Sequence, residues 1–100
     1  QSEDVIVFAD DLEGEELRIL MNLVLDHGKR ICAAFGGDEE HGFRYVIGSR
    51  ILDMRPLAKE LNETFHGRGG GKPEMVQGSV QGNESEMRAW IQEKAREMNG

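Results

Sequence analysis

The sequence predicts a single α/β domain in which a mixed sheet is flanked by helices, in the order β-α-β-β-α-β-α. Three observations lead to this prediction. Short apolar runs alternate with longer segments whose apolar residues recur at helical spacing. The second and third apolar runs are separated only by a short, glycine-bounded turn, which is typical of a hairpin. A chain of 100 residues buries one modest core, so we expect residues 1–100 to form one domain.

The first half of the chain predicts three strands and one helix. Val5–Phe8 is an apolar run that ends before two aspartates, and it predicts a buried strand. Over residues 15–27 apolar side chains recur at helical spacing, and a glycine follows as a stop signal. Residues 30–35 and 43–47 then form the two strands of the predicted hairpin.

The second half predicts two helices and one further strand. Asp53 is placed to cap a helix over residues 54–65, in which a proline is tolerated because it lies in the first turn. Met75–Val80 predicts a fourth strand. Asn83, with a glutamate three residues later, resembles a capping box and opens a last helix. The order of the strands in the sheet stays open at this point.

Charge is unevenly distributed along the chain. The sequence has 19 acidic and 12 basic residues, a net charge of −7, which argues against a general coating of nucleic acid. Residues 29–72, however, hold eight bases and six acids. An acidic rim around a mildly basic middle permits a local anion site, although the same charges could serve solubility alone.

Two features suggest a cellular location. No apolar run approaches the length of a membrane span, and no basic-then-apolar leader is present. The single cysteine, Cys32, cannot form an internal disulfide. We therefore expect a cytoplasmic protein with no membrane partner.

The most informative segment is the run His-Gly-Arg-Gly-Gly-Gly-Lys-Pro, residues 66–73. Three glycines, Gly69, Gly70 and Gly71, expose successive backbone N–H groups to an anion, while Arg68 and Lys72 add positive charge. Neither a P-loop nor a dinucleotide-binding fingerprint fits the spacing, and both follow a strand rather than a helix. The alternative is a tight connection from helix to strand that needs the conformational freedom of glycine.

Other candidate residues carry weaker signals. His66 could donate to a phosphate or cap a helix end, and Gln77 offers hydrogen-bonding capacity near the glycine loop. The histidines lack the spacing of a metal site, and Cys32 is expected to be a packed thiol. We predict no catalytic residue, metal ligand or cofactor in this chain.

Residues 55–78 resemble a known glycine-rich signature. The match consists of a helix, the run that ends in Gly69-Gly70-Gly71-Lys72-Pro73, then an apolar residue, glutamine and glycine. It resembles the DHH-associated domain that ends alanyl-tRNA synthetases and their stand-alone trans-editing relatives. The hairpin before it and the amphipathic helix after it agree in order.

This resemblance implies an accessory domain that binds nucleic acid, specifically tRNA, and is not itself catalytic. The implied contact residues are His66, Arg68, Gly69, Gly70, Gly71, Lys72 and Gln77. The implied partners are an alanine-specific tRNA and other domains of a longer parent protein, of which this chain would be a C-terminal piece. That parent would be an alanine-tRNA ligase or an aminoacyl-tRNA hydrolase, with zinc only in a separate editing domain.

Two alternatives accompany this prediction. The chain could be a protein-interaction or dimerisation module that uses the apolar face of residues 17–25 and the stripe Met87, Trp90, Ile91 and Met98. It could also be the substrate-binding half of a DHH-family phosphoesterase. Lys72-Pro73 stands where the phosphoesterase version of the loop has a histidine, and this favours the tRNA branch.

Overall fold

The computed structural model describes residues 3–98 and contains one five-stranded sheet with three helices. The elements are β1 (Asp4–Phe8), α1 (Gly14–Asp26), β2 (Ile31–Asp38), β3 (Gly42–Ser49), α2 (Arg55–Thr64), β4 (Arg68–Lys72), β5 (Met75–Val80) and α3 (Glu84–Glu97). The strand order is β1-β2-β3-β5-β4, with β1 and β2 parallel and every other pair antiparallel. The predicted fold class is confirmed. The predicted strand count was wrong by one, because the glycine segment is a strand, β4, and not a loop.

Local signals explain where the helices begin. Asn83 caps α3, since its side-chain oxygen accepts the Glu86 N–H at 3.0 Å, as predicted. Asp53 does not hold the N-cap position predicted for it. Met54 is the N-cap of α2, and the Asp53 carboxylate instead accepts the Arg55 N–H at 3.0 Å from just outside the helix.

The sheet carries a core on each face, because alternate residues of a strand point to opposite sides. On one side α2 and α3 pack over Ala33, Phe35 and their neighbours. On the other side α1 packs over Cys32 and Ala34. The buried helix residues are Leu17, Met21, Leu25, Leu57, Ala58, Leu61, Met87, Ile91 and Ala95.

Strand β1 differs from its prediction as a buried strand. All five of its residues are half-buried, because β1 is an edge strand that pairs only with β2. Its apolar run is explained by contacts of Ile6 and Phe8 with the core under α3, where the Phe8 ring stacks on Phe35 at 4.5 Å.

Helix α1 does not cover the whole of its side of the sheet. It packs on β2 and β3, so β4 and the outer part of β5 face solvent on that side. The exposed positions there are Arg68, Gly70, Lys72, Gln77 and Ser79. We call this surface, together with the exposed Arg44 of β3, the open face.

Candidate nucleic-acid interface

Strand register places the side chains of the open face in three rows. The first row is Arg44, Ser79 and Arg68; the second is Val46, Gln77 and Gly70; the third is Gly48, Met75 and Lys72. Cationic side chains therefore stand at both ends of β4, and a row without charge lies between them. Neighbouring strands are about 4.8 Å apart, so side chains in the same row are close neighbours across the sheet.

The cations of the open face lack acidic partners. Within residues 3–98, Arg44, Lys59, Arg68 and Lys72 make no ion pair or side-chain hydrogen bond, whereas most other basic residues are paired with a carboxylate. Three of these four lie on the open face, and only Lys59, on α2, lies elsewhere. Unpaired positive charge is thus concentrated on one surface of a protein whose net charge is −7.

Arg68 and Lys72 occupy different grooves. Four residues along a strand separate their Cα atoms by about 13 Å. Lys72 lines a groove of about 340 Å³ between α1 and the β4–β5 hairpin, which we call the lysine groove; its residues are Arg18, Met21, Asn22, Arg50, Gly70, Gly71, Lys72, Glu74, Met75 and Gln77. Arg68 lines a groove of about 350 Å³, the histidine groove, whose residues are His41, Gly42, Phe43, Arg44, His66, Gly67, Arg68, Ser79, Val80 and Gln81.

The structure separates the seven residues predicted for the site into three sets. His66 and Arg68 line the histidine groove. Gly70, Gly71, Lys72 and Gln77 line the lysine groove. Gly69 lines neither groove, because it lies over the buried phenol of Tyr45 on the opposite side of the sheet.

Two of the three consecutive glycines have a packing explanation. Gly69 has φ of 152°, and a Cβ there would lie 2.6 Å from Gly78 Cα and 2.7 Å from the Tyr45 hydroxyl oxygen. Gly71 has φ of 157°, and its Cβ would meet the Met75 carbonyl oxygen. Gly70 has neither constraint, since nothing lies within 4 Å of the position its Cβ would take. Of these three glycines, only Gly70 is left without a packing explanation.

Three hydrogen bonds of Asn62 connect α2 with β3, with β4 and with the residue before β4. The Tyr45 hydroxyl donates to Asn62 Oδ1 at 2.9 Å, and Asn62 Nδ2 donates to the Gly69 carbonyl at 3.3 Å. The backbone carbonyl of Asn62 also accepts the Gly67 N–H at 2.8 Å. Burial raises the pKa of Tyr45, which keeps the phenol protonated as a donor at neutral pH.

His66 lies at the C-terminal end of α2 in a left-handed conformation, with φ of 54°. The bond from Gly67 N–H to Asn62 carbonyl spans five residues, as in a Schellman motif, where glycine is the usual residue at the His66 position. The histidine therefore lies at a helix end, the position of a cap. It also lines the histidine groove with Arg68, and its donation to a phosphate stays a prediction.

Sequence reasoning missed four residues of this surface. Arg18 and Asn22 come from α1, and Arg50 follows β3, so all three reach the lysine groove from distant parts of the chain. Arg44 joins Arg68 only through strand register. Arg44 and Arg50 belong to the basic segment 29–72, and this charge distribution was the only sequence feature that indicated them.

Metal ligands and the single cysteine can be examined directly in the described part of the chain. No group of three or more His, Cys, Asp or Glu residues within 3–98 could hold a metal ion. Cys32 is buried, and burial raises the pKa of its thiol to about 11, which leaves it a poor nucleophile at neutral pH. No helix in residues 3–98 has the length and apolar character to cross a membrane.

Comparison with known proteins identifies the family. Residues 3–98 match the DHHA1 domain family. A 75-residue part of the chain is 31% identical to an alanine–tRNA ligase from Acholeplasma laidlawii (strain PG-8A), and this match covers 75% of the chain but only 9% of that relative. The fold is similar to the crystal structure of the C-Ala domain from Aquifex aeolicus alanyl-tRNA synthetase. The TM-score is 0.76 at 20% identity, over 90% of this chain and 87% of that one. Since the family match spans almost the whole sequence, the chain belongs to the DHHA1 domain family.

Proposed function

We propose that this chain is a non-catalytic, tRNA-binding accessory domain of an alanyl-tRNA aminoacylating or editing protein, and that its open face contacts the tRNA. The observation that carries the proposal is the concentration of unpaired cations on that face: Arg44, Arg68 and Lys72. Phosphate contacts supply most of the affinity of proteins for nucleic acids, and an unpaired cation is ready to make them. The similarity to alanyl-tRNA synthetase domains supports tRNA as the nucleic acid.

The open face suits contact with an RNA backbone. Arg44 and Arg68 end one row and Lys72 ends another, so phosphates can be held at two places on one surface. Between them Gly70 carries no side chain and Gln77 offers an amide, so a ribose or base can approach the peptide backbone closely. His66 lies beside Arg68 and would donate a further hydrogen bond.

We expect the isolated domain to bind weakly. Its net charge of −7 repels a polyanion at long range, so attraction depends on a few positioned contacts. In a parent protein, a second RNA-binding domain would raise the effective concentration and compensate for weak intrinsic affinity. The parent would be an alanine–tRNA ligase or an alanyl-tRNA hydrolase in the cytoplasm, with any zinc in its separate editing domain.

The test is fluorescence anisotropy of labelled alanine tRNA at two salt concentrations. The double variant Arg68→Ala/Lys72→Ala removes two charges from the open face. The matched control Lys59→Ala/Arg96→Ala removes two exposed charges from α2 and α3. We expect the first double variant to weaken tRNA binding at least about tenfold and to lower the slope of log affinity against log salt concentration by about two. The control variant should bind tRNA with nearly the affinity of the unsubstituted chain. Equal effects of the two double variants would reject the open face as the binding surface.

The structure gives less support to a dimerisation module built on the apolar stripes. Met87 and Ile91 are fully buried in the core under α3, and Leu17 and Met21 in the core under α1. Those residues are therefore used within the domain. Light scattering at several protein concentrations would show whether the chain also associates.

A further inference from the structure

One edge of the sheet has backbone groups that point away from the domain. Strand β1 pairs only with β2, and the pair is parallel. Just after β1, the Ala9 N–H donates to the Phe35 carbonyl of β2 at 2.8 Å. Since alternate residues of a strand bond the same neighbour, the odd-numbered residues of β1 face β2, and Ile6 and Phe8 direct their N–H and C=O groups outward. Such outward groups can pair with a further strand.

Helix α3 extends along this edge, antiparallel to β1. Near the start of the helix, Arg88 lies over the Phe8 ring. At its end, the Ala95 carbonyl accepts from Arg30, which also binds Asp4, the first residue of β1. A groove of about 740 Å³ lies between α3 and β1. The helix therefore already covers one side of the position that a sixth strand would take.

One side chain stands where a neighbouring strand would donate. Among the described residues, the one group that bonds the outward atoms of Ile6 and Phe8 is the Arg88 guanidinium, which donates to the Ile6 carbonyl at 3.2 Å. Hydrogen bonds from charged donors are usually about 2.7–2.9 Å long, so this one is weak. An incoming N–H can therefore replace it, and Arg88 is then available to a carboxylate on the incoming strand.

The α3 side of the groove matches acidic side chains. Arg88, Gln92 and Arg96 line the groove at successive turns of the helix, which places the two arginines about 12 Å apart along its axis. Four residues of a strand span about 13 Å. Arg88 lies 3.6 Å from Glu84, and Arg96 lies 2.9 Å from Glu93. Exposed pairs of this kind contribute little, so both arginines can exchange partners. Two carboxylates placed four residues apart on a strand therefore match the two arginines.

The other side of the same edge is apolar. Val5 and Val7 point there, since Ile6, between them, contacts the core under α3. The flank of α1 that faces away from the lysine groove carries Leu20 and Val24, and this flank points toward β1. All four of these aliphatic residues are half-buried. Side chains of an added strand that point to this side are therefore expected to be apolar.

We propose that β1 binds an extended peptide strand whose side chains alternate acidic, apolar, polar, apolar and acidic. The strand is antiparallel to β1, which is the more stable of the two pairings. Its central residue pairs with Ile6 and replaces Arg88 at the Ile6 carbonyl. One carboxylate then reaches Arg88 and the other reaches Arg96. Asp4 repels them little, because Arg30 binds both of its oxygens. This surface lies at the opposite end of the sheet from β4, and it is independent of the tRNA function.

The experiment follows the fluorescence anisotropy of a labelled peptide, Glu-Val-Thr-Val-Glu with blocked ends, as the protein is added. Two matched peptides carry one N-methyl group each. One has it on the threonine, whose N–H would bond Ile6, and the other on the second valine, whose N–H would point away from β1. We expect saturable binding of the unmethylated peptide, at least about tenfold weaker binding with methylated threonine, and unchanged binding with methylated valine. The peptide Lys-Val-Thr-Val-Lys should bind at least about tenfold more weakly.

Two protein variants and amide hydrogen exchange locate the bound peptide. Arg96→Glu reverses an exposed charge of the groove and should weaken peptide binding about fivefold. Arg55→Glu reverses an exposed charge on α2, away from the groove, and should leave peptide binding unchanged. Exchange of the Ile6 and Phe8 amides should slow in the complex, while exchange in β4 should stay as it is in the free protein.

Three results would overturn the proposal. The first is the absence of saturable peptide binding. The second is equal binding of the two N-methylated peptides, or undiminished binding of the lysine peptide, because neither backbone pairing nor charge would then select the strand. The third is light scattering that finds paired copies of the chain while the Ile6 and Phe8 amides exchange slowly without peptide, because a second copy would then occupy the edge.

Discussion

At the scale of single residues, the three consecutive glycines of β4 are not all glycine for the same structural reason. Gly69 and Gly71 are required by left-handed backbone angles and by the strand and phenol packed beneath them. Gly70 lies between them with open space on the side where a Cβ would point. A run of three identical residues thus combines two positions that folding requires to be glycine with one that packing within the domain does not constrain.

Alanine substitutions should distinguish the glycines that the fold requires from the one that it does not. Gly69→Ala forces a Cβ to within 2.7 Å of the Tyr45 hydroxyl oxygen in a strained conformation. We expect it to lower the free energy of unfolding by about 2–3 kcal/mol. Gly70→Ala should change stability by less than about 1 kcal/mol and still weaken tRNA binding, because the new methyl group stands on the open face. Urea unfolding and anisotropy measure the two effects.

Two results would contradict these expectations for Gly69 and Gly70. Equal destabilisation by Gly69→Ala and Gly70→Ala would show that the packing around β4 is not as the structure has it. A stable Gly70→Ala variant with unchanged tRNA affinity would instead place the RNA away from the second row of the open face.

At the scale of elements, the sequence predicted the helices and strands that have an apolar pattern and missed the one strand that consists mainly of glycine. Helix α3 was found because Asn83 marks its start and its apolar residues recur at helical spacing. Strand β4 was missed because Arg-Gly-Gly-Gly-Lys has no apolar side chain to alternate, and glycine disfavours strands. It is held instead by pairing with β5 and by contacts from α2, which are tertiary interactions.

The hydrogen bond that orients Asn62 toward β4 can be removed without changing the packing. Tyr45→Phe deletes the hydroxyl that donates to Asn62 and leaves the ring in place. We expect a global loss of about 1 kcal/mol, the usual net value of a hydrogen bond. Amide hydrogen exchange in β4 should accelerate more than exchange in α1, because Asn62 also holds the Gly69 carbonyl.

A double-variant cycle checks that the two groups act together. Asn62→Ala and Tyr45→Phe should show non-additive effects on stability, since they remove the same bond. Strictly additive effects, with exchange accelerated equally in every element, would mean that the Tyr45–Asn62 contact does not hold the glycine strand.

At the scale of the whole molecule, the candidate site is assembled from parts that are distant in sequence. Sequence reasoning predicted four side chains of the candidate site in residues 66–77: His66, Arg68, Lys72 and Gln77. Their distribution over two grooves follows from strand register, and the arrival of Arg50 follows from the packing of α1 across the sheet. Strand register and helix placement depend on residues far from the glycine-rich motif. The motif alone therefore suggested one compact site, whereas the structure distributes its residues over an extended surface.

The two ends of the described chain are joined by one side chain. Arg30, only 17% exposed, donates to both oxygens of Asp4 in β1 and to the carbonyl groups of Ala95 and Met98 at the end of α3. The ion pair with Asp4 raises the pKa of Arg30, so its charge is retained at every accessible pH. Four hydrogen bonds from one guanidinium group thus connect the first strand, the second strand and the last helix.

Arg30→Met should therefore destabilise the domain as a whole. The substitution keeps most of the apolar stem but leaves a largely buried carboxylate and two carbonyl groups without this donor, at a cost of about 2–4 kcal/mol. Arg96→Met, at a side chain that is 72% exposed, should cost less than about 0.5 kcal/mol. Urea unfolding that found the two variants alike would show that β1 and the end of α3 are not connected through Arg30. The expected difference would mean that polar contacts hold β1, the edge strand at the far end of the sheet from β4. Such contacts are needed because the residues of β1 are only half-buried.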